Sequence, residues 1–314
     1  MLLENNQLII VDIGASGGID TRWKNLTSSF KCILFEPDQR EYSILKENSG
    51  SNLIVLNSAL SDSSKKVEFH LCKKQEVSSI FPPNFDFLNK FPDAERFEVK
   101  KNISLNTDTL NNQLIKNGID EVDFIKIDTQ GYELPILQGS FDYLDSAIGM
   151  EIEVEFVEMY QDQPLFDEVN GFVKNKGFSL IDLKRYYWKR KGTRNTTNKK
   201  GQLIFGDALY FKTPEKILTI SNITQEKIIR SIFIYLAYGY IDLSQVVLHE
   251  AKNMNLLSEE AFTSLVMTLK KYEKNELGKS FRLRKKISNL FHKLSIIINK
   301  DGSYSFGTDQ KIGN

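Results

Sequence analysis

The chain has 314 residues, more than a single domain of average size needs. Lysine and arginine together number 41, as do aspartate and glutamate, so no global field draws the protein to nucleic acid or to an anionic membrane. The two cysteines, Cys32 and Cys72, each lie in an apolar run. This pattern favours buried thiols in a reducing, cytoplasmic compartment over a disulfide framework.

No targeting or membrane-spanning segment is expected. The N-terminal stretch carries Glu4 and has no basic region ahead of a hydrophobic run, unlike a secretory signal. The longest apolar segment, residues 228–241, contains Arg230 and is too short to cross a bilayer. It predicts a buried helix instead.

Residues 7–212 alternate short apolar, β-branched runs with longer segments of helical spacing. This pattern is typical of an α/β fold in which a doubly wound, mostly parallel, seven-stranded sheet is covered by helices on both faces. The predicted strands are residues 8–14, 31–37, 53–60, 122–128, 148–156, 178–184 and 207–212. Residues 62–104 fit no simple strand–helix unit and are predicted to form an insertion.

Beyond Pro214 only helical spacing occurs, which predicts an all-α C-terminal extension. A domain boundary is therefore expected near residue 215, between an α/β domain over 1–214 and an extension over 215–314.

The first predicted strand ends in a glycine-rich turn, "VDIGASGG", residues 11–18. A dinucleotide fingerprint needs glycines at its first, third and sixth positions, but the sequence after Gly14 has Ser16 and Ile19 there. Glu36 ends the second strand 22 residues after Gly14, a spacing that suits a carboxylate accepting from ribose hydroxyls. Asp12 would meet a cationic amino group better than a phosphate. The turn therefore favours S-adenosylmethionine over a nicotinamide cofactor. The alternative is that the glycines only form a tight turn, which binds no ligand.

Acidic residues end further strands. Residues 124–139 put Lys126 and Asp128 on one strand face and Glu133 at the start of a helix. Converging carboxylates at Asp12, Glu36 and Asp128 repel one another unless a ligand supplies a cation or hydroxyl donors. The three histidines are scattered, so no metal site is expected, while an all-oxygen site is not ruled out.

Four blocks in order resemble the FkbM-type family of S-adenosylmethionine-dependent methyltransferases, a class I, Rossmann-like group. The blocks are "VDIGASGG", "FEPD", "LNSALSD" and "ISLNTDTLNNQLIKNGIDEVDFIKIDTQGYELPILQG". The similarity spans residues 8–212 and implies that 1–214 is a methyltransferase domain with S-adenosylmethionine as its cofactor.

The resemblance also implies roles for individual residues. The methionine end of the cofactor would lie against Asp12, Gly14, Ser16 and Gly17, the ribose against Glu36, and the adenine against Ala59 and Asp62. Asp128 would lie beside the transferred methyl group. The sequence departs from many members at Gln130, where they have glutamate, and at Ser16-Gly17, where they have asparagine.

Methyl transfer to a hydroxyl requires a group that takes the hydroxyl proton. The candidates are Asp128, Glu133, Glu151 and Glu153, and the last two share a strand face with Glu155. His70 fits a strand histidine better than a base. Ser78 and Ser79 are either loop-capping hydroxyls or substrate contacts.

Residues 185–200 carry seven basic residues and no acidic one, interleaved with Tyr186, Tyr187 and Trp188. They join the sixth and seventh predicted strands, so this segment is expected to be a loop that overhangs the acceptor pocket. Acidic glycans, nucleotide-linked sugars or RNA would each suit it, but the neutral overall charge disfavours nucleic acid. A solvated loop is the alternative.

Residues 279–298 predict a basic amphipathic helix, with six basic residues and no acidic one. Such a helix docks on an anionic membrane or a protein partner, or it closes the C-terminal helical bundle.

Together these features predict a cytoplasmic O-methyltransferase, in contact with the inner face of a membrane if the basic helix docks there. Its acceptor would be a hydroxyl of a sugar, glycan or secondary metabolite. The alternatives are methylation of a nitrogen or of RNA, a nicotinamide-dependent dehydrogenase, and a non-catalytic cofactor-binding assembly module. The oligomeric state stays open.

Overall fold

The structure is a computed structural model that describes residues 6–15, 18–26, 29–192, 201–277 and 306–308. Its strands are β1 (Leu8–Ile13), β2 (Phe30–Phe35), β3 (Leu53–Leu56), β4 (Ala59–Leu60), β5 (Lys66–Cys72), β6 (Val99–Asp108), β7 (Phe124–Ile127), β8 (Gly149–Glu155), β9 (Ser179–Trp188), β10 (Gln202–Phe211) and β11 (Phe306–Thr308). Its α-helices are α1 (Thr21–Leu26), α2 (Gln39–Glu47), α3 (Phe85–Leu88), α4 (Leu110–Lys116), α5 (Glu133–Gln138), α6 (Phe141–Ser146), α7 (Phe166–Asn175), α8 (Pro214–Leu218), α9 (Gln225–Ala237), α10 (Ile241–Asn253) and α11 (Glu259–Leu277).

The main sheet has the strand order β11-β9-β10-β8-β7-β1-β2-β3. Strands β3, β2, β1, β7 and β8 are parallel, and β10 runs antiparallel to both of its neighbours. All seven predicted strands are present, and β11 adds a short strand at one edge, which confirms the doubly wound α/β fold.

Two strand boundaries differ from the sequence prediction. The run 53–60 is divided, since β3 ends at Leu56 and β4 pairs with β6 in a second, three-stranded sheet. The hairpin arms are also longer than predicted: β9 continues to Trp188 and β10 begins at Gln202, because each pairs with the other along most of its length.

Both faces of the main sheet are covered. One face packs against α4 to α7, around a core that includes Val11, Ile125 and Ile152. The opposite face packs against α1, α2 and the C-terminal helices. Strands buried on both faces read as continuous apolar runs, which is why β1 and β2 were apparent in the sequence.

The C-terminal helices share their core with the sheet. Ile228 and Ile232 of α9 belong to the same buried cluster as Ile10, Leu34 and Phe211. The predicted buried helix is thus present, within α9. None of the described helices is long and apolar enough to span a membrane. The domain boundary near residue 215 stays a prediction, and the described helices beyond it form a layer against the sheet.

A buried ion cluster fixes α9 to the sheet. The carboxylate of Asp123, which is fully buried, accepts hydrogen bonds from the Ile9 backbone N–H at 2.9 Å and from Lys227 Nζ at 2.7 Å. Arg230 forms an ion pair with Glu121 beside it. The positive groups of α9 thereby compensate a charge that would be costly to bury alone.

The predicted insertion, residues 62–104, supplies β5 and the first part of β6 in the second sheet, together with a separate aromatic cluster. Phe91 and Phe97 of the insertion pack with Tyr160 and with Trp188 at the end of β9. Trp188 is therefore a core residue at a strand end, whereas the sequence predicted it in a loop. Residues 193–200 and the basic segment 279–298 lie outside the described residues, as do Ser16 and Gly17.

Candidate active site

The carboxyl end of β1 is closely apposed to that of β7. Gly14 has a φ of +80°, its N–H donates to the Phe35 carbonyl at 3.0 Å, and a Cβ placed on it would lie 1.9 Å from the Asp128 carbonyl oxygen. Only glycine permits both that φ and that approach. Gly14 thus allows the two strand ends to form the floor of one site.

A cavity of about 290 Å³ opens at this edge of the sheet. Its polar lining includes Glu36, Ser78, Asp128 and Gln130. The apolar lining consists of Ile13, Phe35, Pro37, Ala59, Leu60, Phe69, Ile80, Leu105 and Ile136. Phe69 of β5 comes from the insertion and Leu105 of β6 follows it directly, so β5 and β6 form one wall of the cavity. The combination of an apolar slot with a few converging polar groups is typical of a small-molecule site.

Glu36 lies at the end of β2 and is 6 % exposed. Its Oε1 accepts the Asp38 backbone N–H at 2.8 Å. Burial raises the pKa of Glu36 to about 7, against the hydrogen bond from Asp38, which lowers it. A ligand that donates hydroxyl hydrogens here would stabilise the charged carboxylate.

Asp12 lies on the sheet face below the turn and is 4 % exposed. Lys126 Nζ lies 3.6 Å from its Oδ1 and 3.8 Å from Asp128 Oδ2. Burial raises the pKa of Asp12, while the charge of Lys126 opposes the rise. Burial lowers the pKa of Lys126, but its carboxylate neighbours, Asp12 first, raise it above its ordinary value overall. Lys126 thus supplies the cation that converging acids require, a role that the sequence prediction had left to a ligand.

Asp128 is the most exposed of the predicted catalytic carboxylates, with 38 % of its side chain exposed, and it lines the cavity. Gln130 Nε2 donates to Asp128 Oδ1 at 3.1 Å and to Glu153 Oε1 at 2.6 Å. Gln130 Oε1 in turn accepts from the Tyr160 hydroxyl at 3.0 Å. Sequence reasoning missed Gln130 and Tyr160 as site residues, and the departure from the family at position 130 was the one signal of their importance.

Of the other three predicted catalytic acids, Glu133 and Glu151 are engaged elsewhere, and Glu153 is joined to Asp128 only through Gln130. Glu133, 1 % exposed, accepts from the Thr129 N–H at 2.7 Å and from its hydroxyl at 3.0 Å, and burial raises its pKa to about 7. Glu151 binds Arg22 at 3.1 Å and the Tyr238 hydroxyl at 2.8 Å. Burial holds the pKa of Glu153 well above its usual range. The contacts of Glu133 and Glu151 tie the loop after β7, α1 and the residue that follows α9 to the sheet.

The remaining predicted contacts divide into two groups. Ala59 and Ser78 line the cavity, and the Ser78 hydroxyl accepts the Cys72 N–H at 3.1 Å. Asp62 is not among the lining residues, and its carboxylate binds Lys65 at 2.6 Å and the Ser61 hydroxyl at 2.7 Å. The Ser79 hydroxyl donates to the Gln130 carbonyl at 2.7 Å, a contact that ties the insertion to the loop after β7.

The predicted aromatic contacts lie on β9. Tyr186 stacks on Phe205 with ring centroids 4.4 Å apart and donates to Asp207 at 2.8 Å. The guanidinium of Arg185 lies 5.9 Å from the Tyr187 ring. His70 pairs with Asn102 in the second sheet. The described residues hold no group of three or more metal-ligating side chains placed to bind an ion.

The site fits S-adenosylmethionine in three respects. The Oδ1 atom of Asp12, which is not among the cavity-lining residues, is buried and has no hydrogen-bond partner beside its ion pair with Lys126 at 3.6 Å, so it can still accept from an amino group. Glu36 can accept from ribose hydroxyls, and the apolar slot beside Ala59 suits an adenine.

The strand order and this cavity define a Rossmann-like protein with a nucleoside-cofactor site at the point where the strand order reverses. The family model for the methyltransferase FkbM domain matches residues 12–180. The chain belongs to that family. It is a methyltransferase, and its cofactor is S-adenosylmethionine.

A curated relative is the 2-O-methyltransferase NoeI of Sinorhizobium fredii, 27 % identical over 172 residues, which are 52 % of this chain and 69 % of the relative. Among solved structures, the precorrin-6y C5,15-methyltransferase of Geobacter metallireducens is 14 % identical, covering 68 % of this chain and 85 % of that one, with a TM-score of 0.31. TrmK of M. capricolum, in complex with S-adenosylhomocysteine, is 8 % identical, covering 86 % and 91 %, with a TM-score of 0.31.

Proposed function

We propose that the protein transfers a methyl group from S-adenosylmethionine to a hydroxyl of a sugar or glycan. The observation that carries this proposal is the position of Asp128, a partly exposed carboxylate that lines the cofactor cavity and is held by Gln130 and Lys126. A hydroxyl acceptor needs a proton acceptor within hydrogen-bond reach, and Asp128 meets that need. The relative that methylates an oxygen, a 2-O-methyltransferase, supports a hydroxyl as the acceptor.

In this proposal the cofactor contacts follow the family pattern. Asp12 and Gly14, with Ser16 and Gly17, hold the methionine end, and Glu36 binds the ribose. Ala59 lies against the adenine. Asp62 acts from outside the lining, by holding Lys65 and the Ser61 hydroxyl at the end of β4.

The chemistry that the cofactor supplies is a methyl group already activated by the sulfonium, so the protein's task is alignment and proton removal. S-adenosylmethionine would supply the methyl group to the hydroxyl oxygen, with S-adenosylhomocysteine as the leaving group, and Asp128 takes the hydroxyl proton. Glu133 and Glu151 act as positioning residues through their own hydrogen bonds. Glu153 is buried and is not among the residues that line the cavity, so Asp128 is the carboxylate placed to take the hydroxyl proton.

The cell compartment is part of the proposal. Cys32 and Cys72 are free, buried thiols, as suits a reducing cytoplasm. The acceptor would then be a cytoplasmic sugar or glycan, or one carried at the inner face of a membrane.

The test is transfer of labelled methyl from S-adenosylmethionine to neutral glycosides, uronic acids, nucleotide sugars and transcribed tRNA. We expect label in a sugar hydroxyl. Asp128→Asn should lower kcat by about 10²-fold or more, the scale of lost general-base catalysis, with S-adenosylhomocysteine affinity changed much less. Label in RNA or on a nitrogen would contradict the proposal, and an undiminished kcat in Asp128→Asn would contradict the role of that residue.

A further inference from the structure

A row of polar side chains crosses the main sheet from the cofactor cavity to the β9–β10 hairpin. Glu153 of β8 lies opposite Asp207 of β10, and Asp207 lies opposite Lys184 of β9. The side-chain amide of Gln130 joins Glu153 to Asp128 at the cavity. The row therefore covers three strand spacings, about 14 Å. It is longer than one sugar ring.

The far end of the row is a closed group of three side chains. Lys184 Nζ lies 3.2 Å from Asp207 Oδ2, and the Tyr186 hydroxyl donates to the same oxygen at 2.8 Å. Lys184 also donates to the Tyr186 hydroxyl. The Asp207 and Lys184 side chains stay 21 % and 23 % exposed, so both can still meet a ligand. A carboxylate accepts several hydrogen bonds and an ammonium donates three, so two contacts within the group do not use up either side chain.

The charges along the row largely compensate one another. Lys184 offsets Asp207, and Lys126 lies within 4 Å of Asp128. Burial raises the pKa of Glu153, which favours the neutral form of this carboxyl, and its Oε1 accepts a hydrogen bond from Gln130. Such a surface offers hydrogen-bond donors and acceptors at regular intervals without a strong field. It favours an uncharged polyol over an acid or a phosphate.

An aromatic surface adjoins the same end. Tyr186 and Phe205 are stacked with an interplanar angle of 7° and are paired across β9 and β10. Flat aromatic surfaces beside hydroxyl-binding carboxylates suit a sugar, which has an apolar ring face and a polar rim.

We propose that this row, Asp128–Glu153–Asp207–Lys184–Tyr186, is the acceptor site and that it binds an uncharged saccharide with vicinal hydroxyls. The proposal rests on the proposed function and assigns its substrate class. The hydroxyl to be methylated lies at Asp128, and the hydroxyls of the same or the next sugar unit bind Asp207 and Lys184. Of the segment 185–200, which was predicted to select an acidic acceptor, the row includes only Tyr186 and none of the basic residues.

The experiment uses the full chain saturated with S-adenosylhomocysteine and p-nitrophenyl glycosides as probes. Neutral hexosides, hexuronides and amino-sugar glycosides are compared by ligand-observed NMR, and the same set is tested for labelled methyl transfer. The variants are Asp207→Asn, Tyr186→Phe and Lys184→Met. Glu98→Gln, which breaks an exposed Lys100 ion pair on β6, is the matched control.

We expect neutral hexosides to bind and to be methylated. Removal of a hydrogen bond to a charged group should raise KM by about tenfold or more in Asp207→Asn and Lys184→Met, and by less in Tyr186→Phe. The kcat and the affinity for S-adenosylhomocysteine should stay within about threefold of the original, because these residues bind the acceptor without touching the reacting atoms. Glu98→Gln should match the original protein.

Two results would overturn the assignment and are distinguishable from each other. If a glycoside is methylated and all three variants keep its KM, the row is not the acceptor site and the proposed function stands. If no glycoside binds or is methylated while labelled methyl enters another class of acceptor, the proposed function fails together with the assignment. Tighter binding of hexuronides than of neutral hexosides would contradict the uncharged class.

Discussion

At the scale of single residues, Gln130 organises the site. Its φ is +56°, a left-handed conformation that is uncommon outside glycine, and its amide joins Asp128, Glu153 and Tyr160. The Tyr160 hydroxyl shares its hydrogen between Gln130 Oε1 and the Val77 carbonyl, each at 3.0 Å, and the Nε2 group of Gln130 faces the two carboxyl groups. A side chain held in this way keeps Asp128 in one orientation beside the cofactor.

Gln130→Glu should change the pH dependence of catalysis. The substitution places a third carboxyl group between Asp128 and Glu153, and neighbouring like charges disfavour the ionised form of each. The acidic limb of the kcat/KM profile should therefore move to higher pH by about one unit or more. Gln130→Met should instead lower kcat without moving the limb, which separates charge from packing. A profile unchanged in Gln130→Glu would argue against a proton-accepting role for the group that Gln130 holds.

Glu36 should make cofactor affinity depend on pH. Its pKa is raised to about 7 in the free protein, and ribose hydroxyls donate to the charged form. Binding therefore lowers this pKa, so affinity for S-adenosylhomocysteine should rise from pH 6 to pH 8 and then level off. Isothermal titration calorimetry would measure the trend.

Glu36→Gln provides the control for that prediction. The neutral amide cannot ionise, so the pH dependence between 6 and 8 should flatten, and affinity at pH 8 should fall by about tenfold or more. The same slope in both proteins would assign the titration to another group.

At the scale of elements, the sequence predicted what local pattern determines. The parallel strands β1, β2 and β7 are apolar and buried on both faces, so the strands and the acidic residues at their ends could be predicted from the sequence. The end of β9 could not be predicted in this way, because the basic, aromatic composition around Tyr186 and Trp188 is typical of a loop. Pairing with β10 and packing on Phe91 and Phe97 make it a strand, and these contacts join distant parts of the chain.

The site residues likewise divide into those that local sequence pattern predicts and those that depend on contacts between distant parts of the chain. Asp12, Glu36 and Asp128 were predicted because each ends a strand that meets the same sheet edge. The partners that decide their behaviour, Lys126 and Gln130, were not assigned roles. Their contacts depend on side-chain geometry between neighbouring strands, which spacing along one chain does not specify.

Gly14→Ala tests how closely β1 and β7 must approach. A methyl group there would lie 1.9 Å from the Asp128 carbonyl, so the two strand ends must separate. We expect loss of S-adenosylhomocysteine binding by about 10²-fold or more and destabilisation well above 1 kcal/mol, which exceeds the usual cost of a positive-φ glycine.

Gly118→Ala is the matched control. Gly118 also has a positive φ, +64°, but a Cβ there meets nothing within 4 Å. It should cost about 1 kcal/mol in urea denaturation and leave cofactor affinity unchanged. Equal effects of the two substitutions on affinity would mean that backbone conformation, rather than the approach to Asp128, explains the role of Gly14.

At the scale of the whole molecule, the C-terminal helices α8 to α11 complete the fold. The sequence predicted them as helices but could not say what their apolar faces cover, since helical periodicity identifies a buried face and not its partner. In the structure they cover the face of the sheet that carries Ile10, Leu34 and Phe211. The helices that were predicted to form an extension thus pack as a layer on the sheet and share its core.

A chain cut after Thr213 should therefore fail to fold cooperatively. The cut removes α9 and exposes an apolar sheet face, and it leaves Asp123 buried without Lys227 and Arg230. Circular dichroism during urea titration should show a broad transition, and proteolysis should be rapid. A sharp transition with retained S-adenosylhomocysteine binding would instead support an independent domain over 1–214.

Lys227→Met separates the ion cluster from the helices themselves. Methionine keeps the apolar stem but leaves Asp123 with a weaker partner, Arg230 Nε at 3.4 Å, and a buried ion pair that loses one member is destabilised by about 3 kcal/mol or more. Lys252→Met on α10 removes a lysine whose partner Glu259 is largely exposed, so it should cost about 0.5 kcal/mol or less. If both variants unfold at the same urea concentration, apolar packing alone holds α9 to the sheet. If only Lys227→Met is destabilised, the buried charge of Asp123, just before β7, is what holds the C-terminal helices to this face of the sheet.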